Sequence, residues 1–221
     1  MILQKIYRSL RHFLLKKLAI LVNESQQALS KDLALPFRNQ PKNIQIDYPR
    51  NIVNPEHIWL GNDIRLGPGS LLIAIKRYPG PAMRAPQYIK TQLFNPSITI
   101  GNRVTSTGGL QIACVNEIVI EDDVLFATNI NITDALHGFE NINVPYKYQN
   151  LWRAAPIRIK KACWIGQNTV IMPGVTIGEY SIIGANSVVT KNIPDHCIAV
   201  GSPAKVVKKW DKHTDSWRIA T

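Results

Sequence analysis

The sequence predicts an all-β fold: a parallel β-helix built from hexapeptide repeats, with an N-terminal helical segment and a short C-terminal tail. Three observations point there. Aliphatic residues recur every six positions at Ile159, Ile165, Ile171, Ile177, Ile183 and Val189, without a slip. Small or β-branched residues stand four beyond them, at Cys163, Thr169, Val175, Ser181 and Ser187, and glycine follows directly at Gly166, Gly178 and Gly184. A period of six fits neither a helix at 3.6 nor a strand at 2. It fits a chain winding through three short flat faces per coil, with one aliphatic side chain inward on each face and little room at the corners.

Taken in order, residues 1–57 read as a helical then extended segment. Ile2, Ile6, Leu10, Phe13, Leu14, Leu18 and Leu21 form an apolar stripe flanked by Lys5, Arg8, Arg11, Lys16 and Lys17. Such a helix either packs on the solenoid or a subunit contact, or lies on an anionic membrane surface through residues 1–22. Pro36, Pro41, Pro49 and Pro55 then favour extended connections. The solenoid is expected over 58–200, starting at Ile58, with Leu60, Leu66 and Leu72 as its first coil. Proline-rich residues 74–97 and residues 133–158 interrupt the beat as two excursions, and a slip of two residues falls before Ile120. Excursions from a repeat scaffold are where binding and chemistry usually reside. Residues 201–221 read as a polar, partly helical tail in which Trp210 and Trp217 could cover the last coil.

Composition narrows the class. The chain has 221 residues and a formal net charge of +11, with its basic residues dispersed. Dispersion argues for several anionic contacts rather than a nucleic-acid stripe, and no nucleic acid is expected. No apolar run is long enough to cross a bilayer, and no small-residue cleavage site follows the basic N-terminus. Cys114, Cys163 and Cys197 have no zinc spacing and read as reduced thiols of a cytoplasmic protein, with the inner face of the membrane as its alternative station.

The stretch CWIGQNTVIMPGVTIGEYSIIGANSVVTKNIPDHCIAVGSPAKVVKKW resembles the hexapeptide-repeat acyltransferases, in particular sugar O-acetyltransferases related to the maltose and galactoside enzymes. The likeness covers roughly residues 58–210. It implies a left-handed β-helix, a homotrimer with sites at subunit interfaces, acetyl-CoA as co-substrate and no metal. His137 then matches the family's catalytic histidine, and an imidazole suits removal of a hydroxyl proton at neutral pH. Asp134 and Glu140 are the candidates to orient it, alongside a backbone carbonyl. Trp164, Gln167, Ala185, Thr190, Lys191, Lys205 and Lys208 fall where acetyl-CoA contacts are expected, the lysines as cations for its phosphates.

The acceptor side departs from those enzymes. Thr107 stands where they keep an asparagine, and Val115, beside Asn116, where they keep an acid. The resemblance therefore turns to acetyltransferases of capsule, exopolysaccharide or lipopolysaccharide assembly, acting on a sugar in a larger carrier. Tyr146, Tyr148 and Trp152 offer faces for a pyranose or pack their own loop. Three other readings share the scaffold: a sugar-nucleotide N-acetyltransferase, a non-catalytic binding solenoid, and a γ-type carbonic anhydrase. The last lacks a second histidine near His137.

Overall fold

The computed structural model describes residues 2–31 and 35–220. Its main body is a stack of triangular coils joined by parallel ladders. The first face of each coil pairs Gln45 with Arg65, then Thr105, Leu125, Trp164, Ile182 and Ile198. The second face pairs Asn51 with Leu71, Gln111, Asn131, Val170 and Val188 in turn. The third runs Ile58, Ile98, Ile118 and Ile157, and continues from Ile159 to Ile177 and Ile193. Every ladder bond joins one coil to the next, so backbone pairing runs along the axis and the side chains between faces fill the interior.

The six-residue beat is this interior. Ile46, Leu66, Phe126, Ile165, Ile183 and Ala199 form one fully buried column, and Ile112, Ile132, Ile171 and Val189 form part of another. Each buried aliphatic side chain contributes about 1.5–3 kcal/mol of transfer free energy. Size varies within a column: Ser106 lies in register with Phe126, and its hydroxyl is buried without a hydrogen-bond partner among the described residues. Corners demand close backbone approach. A Cβ on Gly178 would lie 2.3 Å from the Asp195 amide nitrogen of the next coil. Where glycine is absent, Asn129, Asn168 and Asn186 take the left-handed conformation at stacked corners. Asparagine tolerates it, and here Asn168 donates to Asn186 at 3.0 Å.

Three boundaries differ from expectation. Coil stacking begins at Gln45, not Ile58. Ile46, Ile52 and Ile58 already keep the beat, while Pro49 and Pro55 fall between the strands rather than within them. The two-residue slip is an insertion at the turn after Cys114: Val115 and Asn116 point their N–H groups at the buried Asp134 carboxylate, at 2.8 and 2.7 Å. The tail is not helical. Lys205–Asp211 pairs antiparallel with Cys197–Val200 and then with Ser216–Ile219, a hairpin that extends the first face. Trp210 and Trp217 meet edge to face across it at 5.3 Å.

The N-terminal helix α1 spans Ile2–Lys31. Near its end Ser30 accepts the Tyr48 N–H at 2.8 Å and donates to the Gln26 carbonyl at 2.7 Å. Leu10, Leu14, Leu18 and Leu21 are more than half exposed. The side chains of Ile2, Lys5 and Ile6 lie outside the described residues. Among those described, no helix is long and apolar enough to cross a membrane.

Candidate active site

Both excursions leave the coil at the same corner, after the second face. The first follows Ser70–Ala74 and returns at Ser97–Ile100; the second follows Leu125–Thr133 and returns at Ile157–Ile159. Each opens as a short antiparallel ribbon, Arg77–Tyr78 with Gln92–Leu93 and Leu136–His137 with Leu151–Trp152. One intact coil separates their roots. The ribbons are nevertheless braced together, because the Gln92 side chain accepts the Leu151 N–H at 2.6 Å and donates to its carbonyl at 3.3 Å.

The second excursion is anchored by Asp134. Its side chain is fully buried, and besides the two backbone N–H groups it accepts the Cys114 thiol at 3.3 Å. Its own carbonyl accepts the Ala155 N–H at 2.9 Å, which closes the loop at its root. Asp134 is thus committed to the coil and does not touch His137. Burial, with the Asp134 charge beside it, pushes the Cys114 thiol well above the ordinary cysteine range. A thiol held protonated in this way is a poor nucleophile.

His137 projects from the second ribbon with its ring exposed. Its Nδ1 lies 3.0 Å from the hydroxyl of Tyr78, and the two rings meet edge to face at 5.3 Å. The Tyr78 O–H also reaches the Lys147 carbonyl oxygen at 2.5 Å. Nε2 of His137 has no hydrogen-bond partner among the described residues. The partner at Nδ1 is therefore neither Asp134 nor Glu140, which is exposed, but a tyrosine 59 residues away. Only its place at the mouth of an excursion hinted at Tyr78; nothing in sequence pairs it with His137.

Tyr78 and His137 stand over a cleft of about 340 Å³ on the outside of the second face. Its lining is mostly apolar, with Leu71, Leu136 and Leu151 among it, and Gln111, Asn131 and Thr133 bring polar side chains to it. Gln111, Asn131 and Thr133 are polar groups that sequence reading missed; their outward positions on consecutive rungs were the available signal. Of the acceptor candidates, Thr107, Asn116, Tyr146 and Trp152 line none of this cleft. Trp152 instead meets Phe139 edge to face at 5.3 Å, packing within its own excursion.

The donor candidates lie further along the axis, all exposed. Trp164 stands in register with Leu125 and Ile182 on the outer first face. Gln167 and Ala185 belong to stacked corners, where the Asn186 N–H donates to the Gln167 carbonyl at 2.8 Å. Thr190 and Lys191 follow Val188–Val189 on the face that carries the cleft. Lys205 and Lys208 lie on the hairpin, paired with Val200 and Ile198. Coils rise by about 4.8 Å each, so the Ala185 coil sits roughly 10 Å from the coil that carries His137. Among the described residues, no group of three or more histidine, cysteine or acidic side chains could hold a metal ion.

Comparison with known proteins agrees with this architecture. Residues 156–191 match the family described as bacterial transferase hexapeptide (six repeats). The "Putative lipopolysaccharide biosynthesis O-acetyl transferase WbbJ" of Escherichia coli is 34% identical over 118 residues, 50% of this chain and 60% of that protein. The chain thus spans less than two thirds of that relative's length. Among solved structures, the N-acyltransferase AntD of Bacillus cereus superposes with a TM-score of 0.63 at 23% identity, over 81% of this chain and 87% of that one. The hexapeptide-repeat acetyltransferase VCA0836 of Vibrio cholerae gives 0.52 at 19%, over 89% and 93%. The chain carries the hexapeptide-transferase repeat and the fold of these enzymes.

Proposed function

We propose that the protein is an O-acetyltransferase that moves an acetyl group from acetyl-CoA to a sugar hydroxyl during assembly of a cell-surface polysaccharide. On this reading the coil is left-handed and the active unit is a homotrimer with its sites between subunits. The observation that carries it is His137 at a cleft that Gln111, Asn131 and Thr133 also line, with Nε2 unengaged among the described residues, on a hexapeptide-transferase scaffold. WbbJ supports the acceptor class by its name, and VCA0836 has been solved with acetyl coenzyme A.

In the reaction, His137 Nε2 takes the proton of the acceptor hydroxyl as its oxygen bonds to the thioester carbon. The tetrahedral adduct collapses, the carbon–sulfur bond breaks, and the CoA thiolate recovers the proton. Transfer is direct: the cysteine near the site, Cys114, is buried and protonated. Lys205 and Lys208 serve the CoA phosphates, while Gln167, Ala185, Thr190, Lys191 and Trp164 flank its extended arm. Exposed Leu125 and Trp164, adjacent in register, support cover by that arm or by a neighbouring subunit.

A second reading, N-acyl transfer to an amino sugar on a nucleotide, draws on AntD, solved with dTDP-4-amino-4,6-dideoxyglucose and coenzyme A. Thiol release from acetyl-CoA, measured with paired hydroxyl and amino sugars as free, nucleotide-linked and oligosaccharide acceptors, separates the two. Turnover confined to the hydroxyl series supports O-transfer; turnover confined to the amines replaces it with N-transfer.

The exposed leucines of α1 and Arg8, Arg11, Lys16 and Lys17, with no acid in residues 1–22, support contact with an anionic lipid surface. Co-sedimentation with phosphatidylglycerol vesicles, lost on removing residues 1–22, is the expected result. Equal recovery with neutral vesicles, or none with either, assigns the helix to packing between subunits.

A further inference from the structure

We propose that Tyr78, carried by the first excursion, is a positioning residue that holds His137 as its Nδ1–H tautomer and so keeps Nε2 as the basic nitrogen. The inference rests on the reading of His137 as proton acceptor, and it is built from hydrogen-bond arithmetic. A phenol has one proton to give. The Lys147 carbonyl can only accept, so the short contact between it and the Tyr78 oxygen consumes that proton. Were the phenol proton aimed at His137 instead, two oxygen lone-pair regions would face each other at 2.5 Å. The remaining contact, 3.0 Å from Tyr78 Oη to His137 Nδ1, then needs a proton from the imidazole. In a neutral ring that leaves the lone pair on Nε2.

The surroundings keep this arrangement in place. Tyr78 is 7% exposed, and burial raises its phenol above the ordinary tyrosine range, so the O–H is retained at neutral pH. Gln92, on the strand paired with Tyr78, clasps both backbone groups of Leu151, the residue paired with His137. The two ribbons are thereby tied in register at the level of the two rings. When Nε2 takes the acceptor proton, the imidazolium still donates from Nδ1 to Tyr78, which passes polarisation to a carbonyl rather than to a carboxylate. No heavy atom need move during the step.

The test reads the ring nitrogens directly. Two-bond ¹⁵N–¹H correlation spectra of the full-length protein, labelled at histidine, resolve the tautomer of His137, with His137→Ala assigning its signals. At pH values where the ring is neutral, the wild type is expected to show a single Nδ1–H form. Tyr78→Phe, which keeps the buried ring, is expected to release His137 to a mixture of both tautomers. The same variant should lower kcat at least about tenfold with the KM for acetyl-CoA unchanged, less than the roughly 10⁴-fold that a lost carboxylate partner costs a serine protease. An Nε2–H ring in the wild type, or an unchanged tautomer in Tyr78→Phe, overturns the proposal, and the first needs no variant. If His137→Ala retained full turnover, the proton-acceptor reading would fall while the spectra still reported on Tyr78.

Discussion

The coils from Ile159 to Val200 and the coils between Ser70 and Ile157 share one scaffold and differ in what they do with their corners. In the first region the chain turns immediately. Trp164 to Ile182 is a coil of 18 residues, each strand is two residues long, and corner glycines lie against the next coil. In the second, 20 residues separate Thr105 from Leu125, and two corners open into ribbons that meet over a cleft. Regularity supplies a rigid ladder on which an extended donor can lie. Irregularity supplies the histidine and its tyrosine partner, set beside Gln111 and Asn131 of the second face.

This contrast makes the two regions separable by mutation. The largest effect is expected at the hinge between them. Asp134→Ala strips the Val115 and Asn116 N–H groups, the first of them buried, of a charged acceptor and frees the root of the second excursion. A loss of about 4 kcal/mol in urea unfolding is expected, with activity lost even in the fraction that stays folded. Should that fraction retain full activity, the excursion does not depend on its anchor and the comparison breaks.

Gly178→Ala probes the regular region. The added carbon meets backbone of the next coil, which cannot swing aside, and about 2–3 kcal/mol of destabilisation is expected. Here activity should follow the folded fraction alone, since no site element is touched.

A smaller effect sharpens the division of labour. Lys205→Ala combined with Lys208→Ala should raise the KM for acetyl-CoA about tenfold, or 1.4 kcal/mol, with kcat nearly unchanged. A fall in kcat instead would place chemistry on the regular coils.

Acid is expected to act least. Asp123 lies below the ordinary carboxylate range because Arg103 hydrogen-bonds it, and Asp195 because Lys160 does. Carboxyls depressed in the folded state stabilise it above their unfolded pKa, and this is lost as pH falls through the folded values. Thermal midpoints should therefore decline only below about pH 4 from this source, and modestly, since both pairs are exposed.

Legibility in the sequence follows the same division. The beat from Ile159 to Val189 exposes the coil because each face repeats one local requirement, an aliphatic residue in and a small residue at the turn. Ile46, Ile52 and Ile58 obey it too, but Pro49 and Pro55 between them read as interruptions when they are corner residues. His137 could be singled out by its place at the mouth of an excursion and by resemblance. Its partner could not, because Tyr78 and His137 meet only after a whole coil has been laid between their roots. Asp134 shows the converse: proximity in sequence suggested an orienting carboxylate, yet burial and two backbone donors hold it on the other side of the turn.

The most direct test of the account is acetyl-CoA turnover with a responsive acceptor in the wild type and His137→Ala, with acetyl-CoA affinity measured for both. Loss of at least about 10²-fold in kcat with affinity retained is expected if the excursions perform the chemistry and the regular coils hold the donor. Unchanged turnover in His137→Ala, or no acetyl-CoA binding by either protein, would contradict it.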